Sequence, residues 1–365
     1  MTRQEPLKQI LALTRAQWDT SRERRGVRDS FRKVGECRTA ALGAEVYASD
    51  LGEKVFFHTC KSRACPSCGN RGTLLWQREQ WVTLPDIPFV GIVLTMPDVF
   101  WPIFRAHRHL ERDLPALGAA VIQQWAWTKH RVRLYVMVIQ HTFGGHLNYN
   151  PHLHMMVSAG GLESSQSRWT RPVDFNAEEI MSLWRLAVTE YLLSAHISGL
   201  LTNSVITDDF EGVIQEQAIR RWNIFVTSAM TKKHFLGYAG RYIRRLPISQ
   251  RCILSVTARE VAYQSKDTRT KSYVEKRCTP EAFVALLAQH VPDRYRHSMR
   301  YFGLLSPRTK CQTQGAVFDL LGQLRRPKLR REPWNISVRR RFKVDPLLDA
   351  AGDRMQWVRS NRPQP

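Results

Sequence analysis

The chain has 365 residues, and 55 lysines and arginines against 32 aspartates and glutamates give a formal net charge of +23. This excess argues against an ordinary small-molecule enzyme and favours a polyanionic partner, because each neutralised phosphate releases condensed counterions. The hydrophobic fraction of 43% is that of a folded protein. The longest apolar run is too short to span a membrane, and the N-terminus has no signal-peptide pattern. We therefore expect a cytoplasmic protein that binds nucleic acid and not a membrane.

The elements predicted along the chain divide it into four parts. Residues 1–36 have apolar residues near helical spacing and predict a helical lead-in. Residues 37–84 contain a cysteine cluster that marks a small separate module, and residues 85–306 alternate strand-like and helical runs. Residues 307–365 are rich in arginine and lysine and are expected to form a basic C-terminal tail that contacts phosphates.

The third part predicts an α+β domain with a largely antiparallel sheet. Apolar runs bounded by turn residues predict strands at 89–97, 133–143, 152–160, 252–258, 261–266 and 271–277. Helical spacing predicts helices at 99–130, 175–198, 214–245 and 281–290. The connection between the second and third of these strands is too short for a parallel crossover. Those two strands therefore form a hairpin.

A pair of histidines lies at the start of the second hairpin strand. His152 and His154 are two residues apart, so on a strand they share one face and can hold one metal ion. A similar pair at 107–109 lies in a predicted helix, where residues two apart do not face each other. A symmetric hairpin places His141 opposite His152 as a third ligand, and a one-residue slip would place Gln140 there instead. The alternative is a set of half-buried histidines without a metal.

Two tyrosines, Tyr238 and Tyr242, are four residues apart in a helical stretch and therefore project from one face. Tyrosine can act as a covalent nucleophile when a metal or base is nearby, and cations beside it would hold a phosphodiester. The surrounding cations are Lys232, Lys233, Arg241, Arg244 and Arg245. On spacing alone, the pattern favours a helix with both tyrosines packed on the core.

Three blocks in matching order resemble the rolling-circle, HUH-type transposases of the insertion-sequence 91 kind. They are HTFGGHLNYNPHLHMMVSAGGL at 141–162, FLGYAGRYIRRLPIS at 235–249 and HVPDRYRHSMRYFGLLS at 290–306. The resemblance implies an antiparallel-sheet nuclease domain that cleaves and joins single-stranded DNA through 5′-phosphotyrosine links. It implies that Tyr238 and Tyr242 are the nucleophiles and that the histidines hold a catalytic Mg²⁺ or Mn²⁺ ion.

The cysteine cluster resembles the N-terminal zinc-ribbon of the same family, through CRTAALG at 37–43 and CKSRACPSCG at 60–69. Relatives have a Cys-x-x-Cys knuckle between these blocks, and this chain has YASDLGEKV there, without cysteine. The remaining zinc ligands are Cys37, Cys60, Cys65 and Cys68, with His58 as a spare. The alternative is a ribbon that packing holds together without zinc.

The resemblance implies that the DNA partners are single-stranded element ends and target, and that no nucleotide triphosphate is used. Consistently, the chain has no phosphate-binding G-x-x-x-x-G-K-[ST] motif. Two alternatives remain at this point. One is a replication initiator or relaxase with the same nuclease site, and the other is a non-catalytic zinc-ribbon DNA-binding protein.

Overall fold

The computed structural model describes residues 5–202, 209–243, 247–266, 270, 272–330 and 332–361. Arg244 and Arg245, both expected to contact DNA, lie outside these residues. The helices are α1 (Pro6–Leu13), α2 (Arg15–Trp18), α3 (Arg25–Glu36), α4 (Pro66–Thr83), α5 (Trp101–Ala106), α6 (Leu114–His130), α7 (Ala177–Ile197), α8 (Phe210–Ile219), α9 (Lys232–Ile243), α10 (Pro280–Ala288), α11 (Pro307–Leu320) and α12 (Trp334–Phe342). None of them, within this described part of the chain, is long and apolar enough to cross a membrane.

The strands form small sheets around one larger sheet. They are β1 (Ala44–Ser49), β2 (Gly52–Phe57), β3 (Phe89–Leu94), β4 (Val132–Arg133), β5 (Tyr135–Phe143), β6 (Tyr149–Ser158), β7 (Gly161–Glu163), β8 (Trp169–Thr170), β9 (Ile224–Val226), β10 (Ile253–Val256), β11 (Val261–Lys266), β12 (Tyr273–Cys278), β13 (Met299–Gly303) and β14 (Gln356–Asn361). The larger sheet has the order β13-β5-β6-β3-β9, and all its neighbours are antiparallel. The expected α+β class with a central antiparallel sheet is confirmed.

Strands β5 and β6 form the predicted hairpin, and its register pairs His141 with His152. Side chains alternate between the two faces of a strand, so Met137, Ile139 and His141 lie on one face together with their partners on β6. That face packs against α4, α9 and α11, whereas the opposite face packs against helices α5 to α8. The three histidines of the hairpin therefore face the layer that contains α9.

A third layer joins the ends of the chain to the middle. Helices α1 and α3 and the cysteine cluster pack with β10, β11 and α10 in one apolar core. Strand β14 returns to the N-terminal module and pairs with β1, in a sheet of order β14-β1-β2. In α11, Val317 and Phe318 are fully buried. The segment after residue 306, expected as a basic tail, thus folds back on the protein, because its own apolar residues have a core to enter.

Two predicted helices differ from the structure. The stretch 214–245 contains α8, β9 and α9, because Ile224 and Val226 have high strand propensity and pair with the edge of β3. The stretch 99–130 is interrupted between α5 and α6, where Pro115 lies in the first turn of α6. His107 and its partner histidine lie in this interruption, so their predicted place on a helix was wrong.

Candidate active site

The three hairpin histidines form a cluster that could hold a metal ion. One ring nitrogen from each of His141, His152 and His154 lies within 4.8 Å of the others. The Nε2 atoms of His152 and His154 are 3.1 Å apart, and the rings of His141 and His154 have centroids 4.7 Å apart. His141 and His154 are buried and His152 is half-buried. Such a set of converging, partly shielded nitrogens is a plausible geometry for a divalent cation.

Hydrogen bonds to carbonyl groups orient two of these rings. His152 Nδ1 is 2.8 Å from the carbonyl oxygen of Asn150, and His141 Nε2 is 2.8 Å from that of Tyr242. Because a carbonyl only accepts, we assign the proton to these two nitrogens. The other nitrogen of each ring then carries the lone pair that a metal requires. Three neutral imidazoles fit Mn²⁺ better than Mg²⁺, which prefers oxygen ligands.

The register also bears on the third ligand. Gln140 belongs to the opposite face of β5, and its Oε1 accepts a hydrogen bond from Arg296 Nη2 at 3.3 Å. His141 lies beside the other two histidines. The geometry therefore favours His141 over Gln140.

Helix α9 brings both tyrosines to this face of the sheet. Its buried residues Phe235 and Ala239 hold it on the sheet, and the Phe235 ring stacks on Phe89 with centroids 4.2 Å apart. The Tyr242 ring stacks on His154 with centroids 4.0 Å apart. The Tyr238 ring lies 5.0 Å from that of Tyr242, one turn earlier on the helix. The two motifs, separate in the sequence, thus form one cluster.

The side chain of Tyr238 is half-buried and partly shielded from solvent. Burial raises the pKa of its phenol, and the neighbouring Tyr242 raises it further. The Arg241 guanidinium lies 5.0 Å from the centre of the Tyr238 ring and opposes this rise. The phenol is therefore protonated at neutral pH, and an attack by its oxygen needs a group that removes or replaces the proton.

The five predicted DNA-contacting cations do not all lie on the surface. Lys233 and Arg241 are exposed, but only 4% of Lys232 is exposed. Lys232 Nζ donates to the carbonyl oxygens of Trp81 and Leu84 and pairs with Asp86. Burial lowers the pKa of Lys232, and the Asp86 carboxylate counters that effect. The interpretation of Lys232 as a DNA contact is corrected: its ammonium group joins α9 to the chain after α4.

The four predicted zinc ligands also converge. Cys37 Sγ lies 3.6 Å from the Sγ atoms of both Cys65 and Cys68, and Cys60 Sγ lies 3.7 Å from that of Cys68. Four sulfurs at ~2.3 Å from a tetrahedral zinc would be about 3.8 Å apart. The donor set and its spacing therefore fit a structural zinc ion. His58 is not in this set, since its Nε2 pairs with the Glu45 carboxylate at 3.0 Å.

We expect purified protein to contain about one zinc ion per chain, and a Cys65→Ser, Cys68→Ser variant to contain none. Structural zinc sites contribute roughly 10–16 kcal/mol of apparent binding energy, as much as the whole stability of many domains, so the variant should lose the fold of the module. Metal analysis and circular dichroism would measure both effects. Cys311→Ser is the matched control, because Cys311 is exposed and lies outside the cluster. Equal zinc contents in the two variants would contradict the assignment.

Three residues that contact α9 were not identified from the sequence. Arg63, between the zinc ligands, donates to the carbonyl oxygen of Ile243 at 2.9 Å, and Gln77 of α4 donates to that of Leu236 at 2.8 Å. Gly91 lies under Tyr238, where a Cβ atom would be 3.0 Å from Cε1 of the ring. No local pattern marks these residues, because each acts on an element distant in the chain.

Comparisons with known proteins agree with this architecture. Residues 135–313 match a family model described as "Putative transposase", and residues 9–96 match the model of a transposase zinc-binding domain. The chain is 31% identical over 332 residues to the transposase for insertion sequence element IS801 of Pseudomonas savastanoi pv. phaseolicola. The aligned region covers 87% of this chain and 80% of the relative. The chain belongs to the insertion-sequence 91 family of transposases.

A second relative of this transposase is "Putative transposase y4qJ" of Sinorhizobium fredii. It is 27% identical over 306 residues, which cover 78% of this chain and 76% of the relative. No solved structure matches the chain. The transposase model covers the three-histidine cluster, and the zinc-binding model covers the four-cysteine cluster. The predicted family and its zinc-binding module are therefore confirmed.

Proposed function

We propose that this transposase cleaves and rejoins single-stranded DNA through 5′-phosphotyrosine intermediates in rolling-circle transposition. One observation carries the proposal: the ring of Tyr242 stacks on His154, one of three histidines that converge on a single point. A structural core has no need to place two phenols and three imidazoles together at the end of a hairpin. A phosphoryl-transfer site does need a nucleophile beside a metal-binding cluster.

The residues divide the chemistry as follows. His141, His152 and His154 would hold a Mg²⁺ or Mn²⁺ ion, which polarises a non-bridging oxygen of the scissile phosphate when bound. The phenolic oxygen of one tyrosine forms a bond to phosphorus, and the bond from phosphorus to the 3′ oxygen breaks. The phenolic proton is lost and the 3′ oxygen gains one, which leaves a free 3′-hydroxyl. The exposed Lys233 and Arg241 would hold neighbouring phosphates.

The covalent link would make a nucleotide triphosphate unnecessary. The phosphotyrosine keeps the phosphodiester, so a 3′-hydroxyl can attack it and restore the strand without a triphosphate. Two tyrosines 5.0 Å apart, centre to centre, would let a second strand be cleaved before the first is released. A donor end and a target could thus be joined within one site.

The comparisons favour a transposase over the two alternatives. A replication initiator or relaxase would use the same chemistry, but the relatives found are transposases over most of their length. A non-catalytic zinc-ribbon protein would have no use for the contact between Tyr242 and His154. The proposed function therefore requires that the chain has cleavage activity and not only DNA affinity.

A strand-cleavage assay tests the proposal. Single-stranded oligonucleotides that carry the ends of the element would be incubated with the full chain and Mg²⁺, Mn²⁺ or EDTA. With a 3′ label, we expect the label to migrate with the protein on a denaturing gel, because the protein keeps the 5′ phosphate. With a 5′ label, we expect a shortened free strand. EDTA should abolish both products, and cleavage that leaves no DNA on the protein would contradict the tyrosine mechanism.

Gly91→Ala should weaken the use of Tyr238 as a nucleophile. The added Cβ would be 3.0 Å from Cε1 and 3.3 Å from Cζ of that ring, so the ring must shift by a few tenths of an ångström. Reaction rates are sensitive to small displacements of a nucleophile, and we expect about a tenfold loss of adduct formation in a Tyr242→Phe background, where only Tyr238 can react. The rate of adduct formation on labelled DNA measures this.

Gly237→Ala is the matched control for that substitution. Gly237 lies on α9 next to Tyr238, and a Cβ there would meet nothing within 4 Å. Both changes add one methyl group, and neither should lower the melting temperature. An equal loss of adduct in the two variants would show that the effect does not come from the contact with the Tyr238 ring.

A further inference from the structure

A cavity of about 110 Å³ lies beside the candidate active site and shares His141 with it. It lies where β5 continues to Phe143, past Ile139, which pairs with Met299, the first residue of β13. Helices α1 and α3 and the chain at 287–292 contribute other parts of the wall. The N-terminal helices, which the proposed chemistry does not use, thus enclose a space next to the histidines.

The walls of the cavity are mostly apolar in area, but several polar and charged residues also line it, among them Arg63, Arg108, Glu111, His290 and Arg296. Leu11 and Phe31 are among the buried apolar residues that line it. Gln140 is a further polar residue of the lining, of which only 7% is exposed, and its amide Nε2 is buried without a hydrogen-bond partner. The hydroxyl of Ser298, which also lines the cavity, is likewise buried and unpartnered. Buried polar groups nearly always have partners, so this pair points to a ligand.

The donor of Gln140 is held in place. Its Oε1 accepts from Arg296 Nη2 at 3.3 Å, and Arg296 is fixed by an ion pair with the buried Glu111 at 3.0 Å. An amide whose oxygen is occupied in this way has its nitrogen left to donate. A ligand in the cavity would therefore meet an N–H donor from Gln140 and a hydroxyl from Ser298.

We propose that this cavity binds one unpaired nucleobase of the DNA strand, close to the phosphate that is cleaved. At 10–15 Å³ for each water-sized group, the cavity has room for roughly seven to eleven such groups, and nucleobases have about eight to eleven non-hydrogen atoms. The apolar part of the lining suits the faces of a base, and the unpartnered polar groups of Gln140 and Ser298 suit its edge. Because Gln140 donates, the bound base must present an acceptor on its edge, and the cavity is expected to favour some bases over others according to where that acceptor lies. This inference rests on the proposed function, since it requires single-stranded DNA at the histidine cluster.

A binding selection tests the pocket without relying on cleavage. The full chain, in EDTA, would select from a pool of single-stranded oligonucleotides with twenty randomised positions, and the bound fraction would be sequenced. The same selection would use Gln140→Leu, which removes the donor, and Ser298→Ala, which removes one oxygen. Gln80→Leu is the matched control, because Gln80 is a buried glutamine outside the cavity.

For the unmodified chain we expect one position with a marked base preference, and both cavity variants should reduce that preference about tenfold while other positions keep theirs. Gln80→Leu should leave every position unchanged. An identical motif in the chain and in both cavity variants would overturn the proposal, and Ser298→Ala alone decides if Gln140→Leu does not fold. A chain that cleaves DNA but selects no base would overturn the pocket alone. Sequence selection by a chain that never cleaves would overturn the proposed function and support the pocket.

Discussion

His152→Ala should abolish strand cleavage and leave DNA binding nearly unchanged. The substitution removes one of three converging ligands, and the Nε2 atom that it deletes lies 3.1 Å from that of His154. A metal that polarises a phosphate lowers the activation barrier by several kcal/mol. Its loss should therefore slow cleavage by about 10³-fold or more, equal to ~4 kcal/mol. Binding of single-stranded DNA rests on the exposed cations, and its affinity in EDTA should change by no more than about twofold.

The second His-x-His of the chain supplies the control. His109→Ala makes the same chemical change at an exposed histidine in the interruption between α5 and α6, and it should leave cleavage intact. Single-turnover rates on labelled DNA and fluorescence anisotropy would measure the two quantities. A His152→Ala protein that keeps cleavage within about tenfold would remove His152 from the metal site. A parallel loss of binding would give it a structural role instead.

The histidine cluster was predictable because it depends on local pairing. A strand period of two places His152 and His154 on one face, and a symmetric hairpin places His141 opposite His152. All three residues lie within one hairpin, so no long-range contact had to be known. The cysteine set was found for a similar reason, since Cys60, Cys65 and Cys68 are close in the chain.

The packing of α9 against the sheet could not be derived in this way. The stretch 214–245 has a helical pattern throughout, yet Ile224–Val226 forms a strand in the structure. That strand pairs with the edge of β3, more than a hundred residues earlier in the chain. This strand sets where α9 begins, and the register of α9 on the sheet decides which tyrosine meets His154. Lys232 was misassigned for the same reason, because its partner Asp86 is also distant in the chain.

The C-terminal segment shows the converse error. Its many arginines predict a basic tail that contacts phosphates, but a few apolar residues of the segment are buried against the rest of the protein. Phe318 is fully buried, and Arg326 lies 5.3 Å above the Trp81 ring. Arg359 pairs with Glu53 of β2 through two hydrogen bonds of 2.9 and 3.0 Å. Composition alone cannot reveal such partners, since each acid lies far away in the sequence.

The second large effect is expected from the tyrosines. Tyr238→Phe and Tyr242→Phe each remove one oxygen and keep the ring, so the stacking of Tyr242 on His154 and the packing of Tyr238 over Gly91 should remain. Each single variant should therefore keep its fold and form some covalent DNA adduct through the other tyrosine. Neither should complete strand transfer, because the proposed reaction uses both phenols. The double variant should form no adduct at all.

The two single variants should also differ from each other. Tyr242 is the tyrosine that contacts the histidine cluster, whereas Tyr238 lies one turn away, so Tyr242→Phe should slow the first cleavage more. Denaturing gels with 3′-labelled single-stranded DNA would show the adduct, and Tyr301→Phe is the control, since the Tyr301 hydroxyl is held by the Trp76 indole N–H at 2.8 Å. An undiminished adduct in the double variant would exclude both tyrosines as nucleophiles. If the adduct is instead lost in one single variant alone, that tyrosine carries the whole reaction. Exchange of two strands would then require two copies of the chain, because one site would have only one nucleophile.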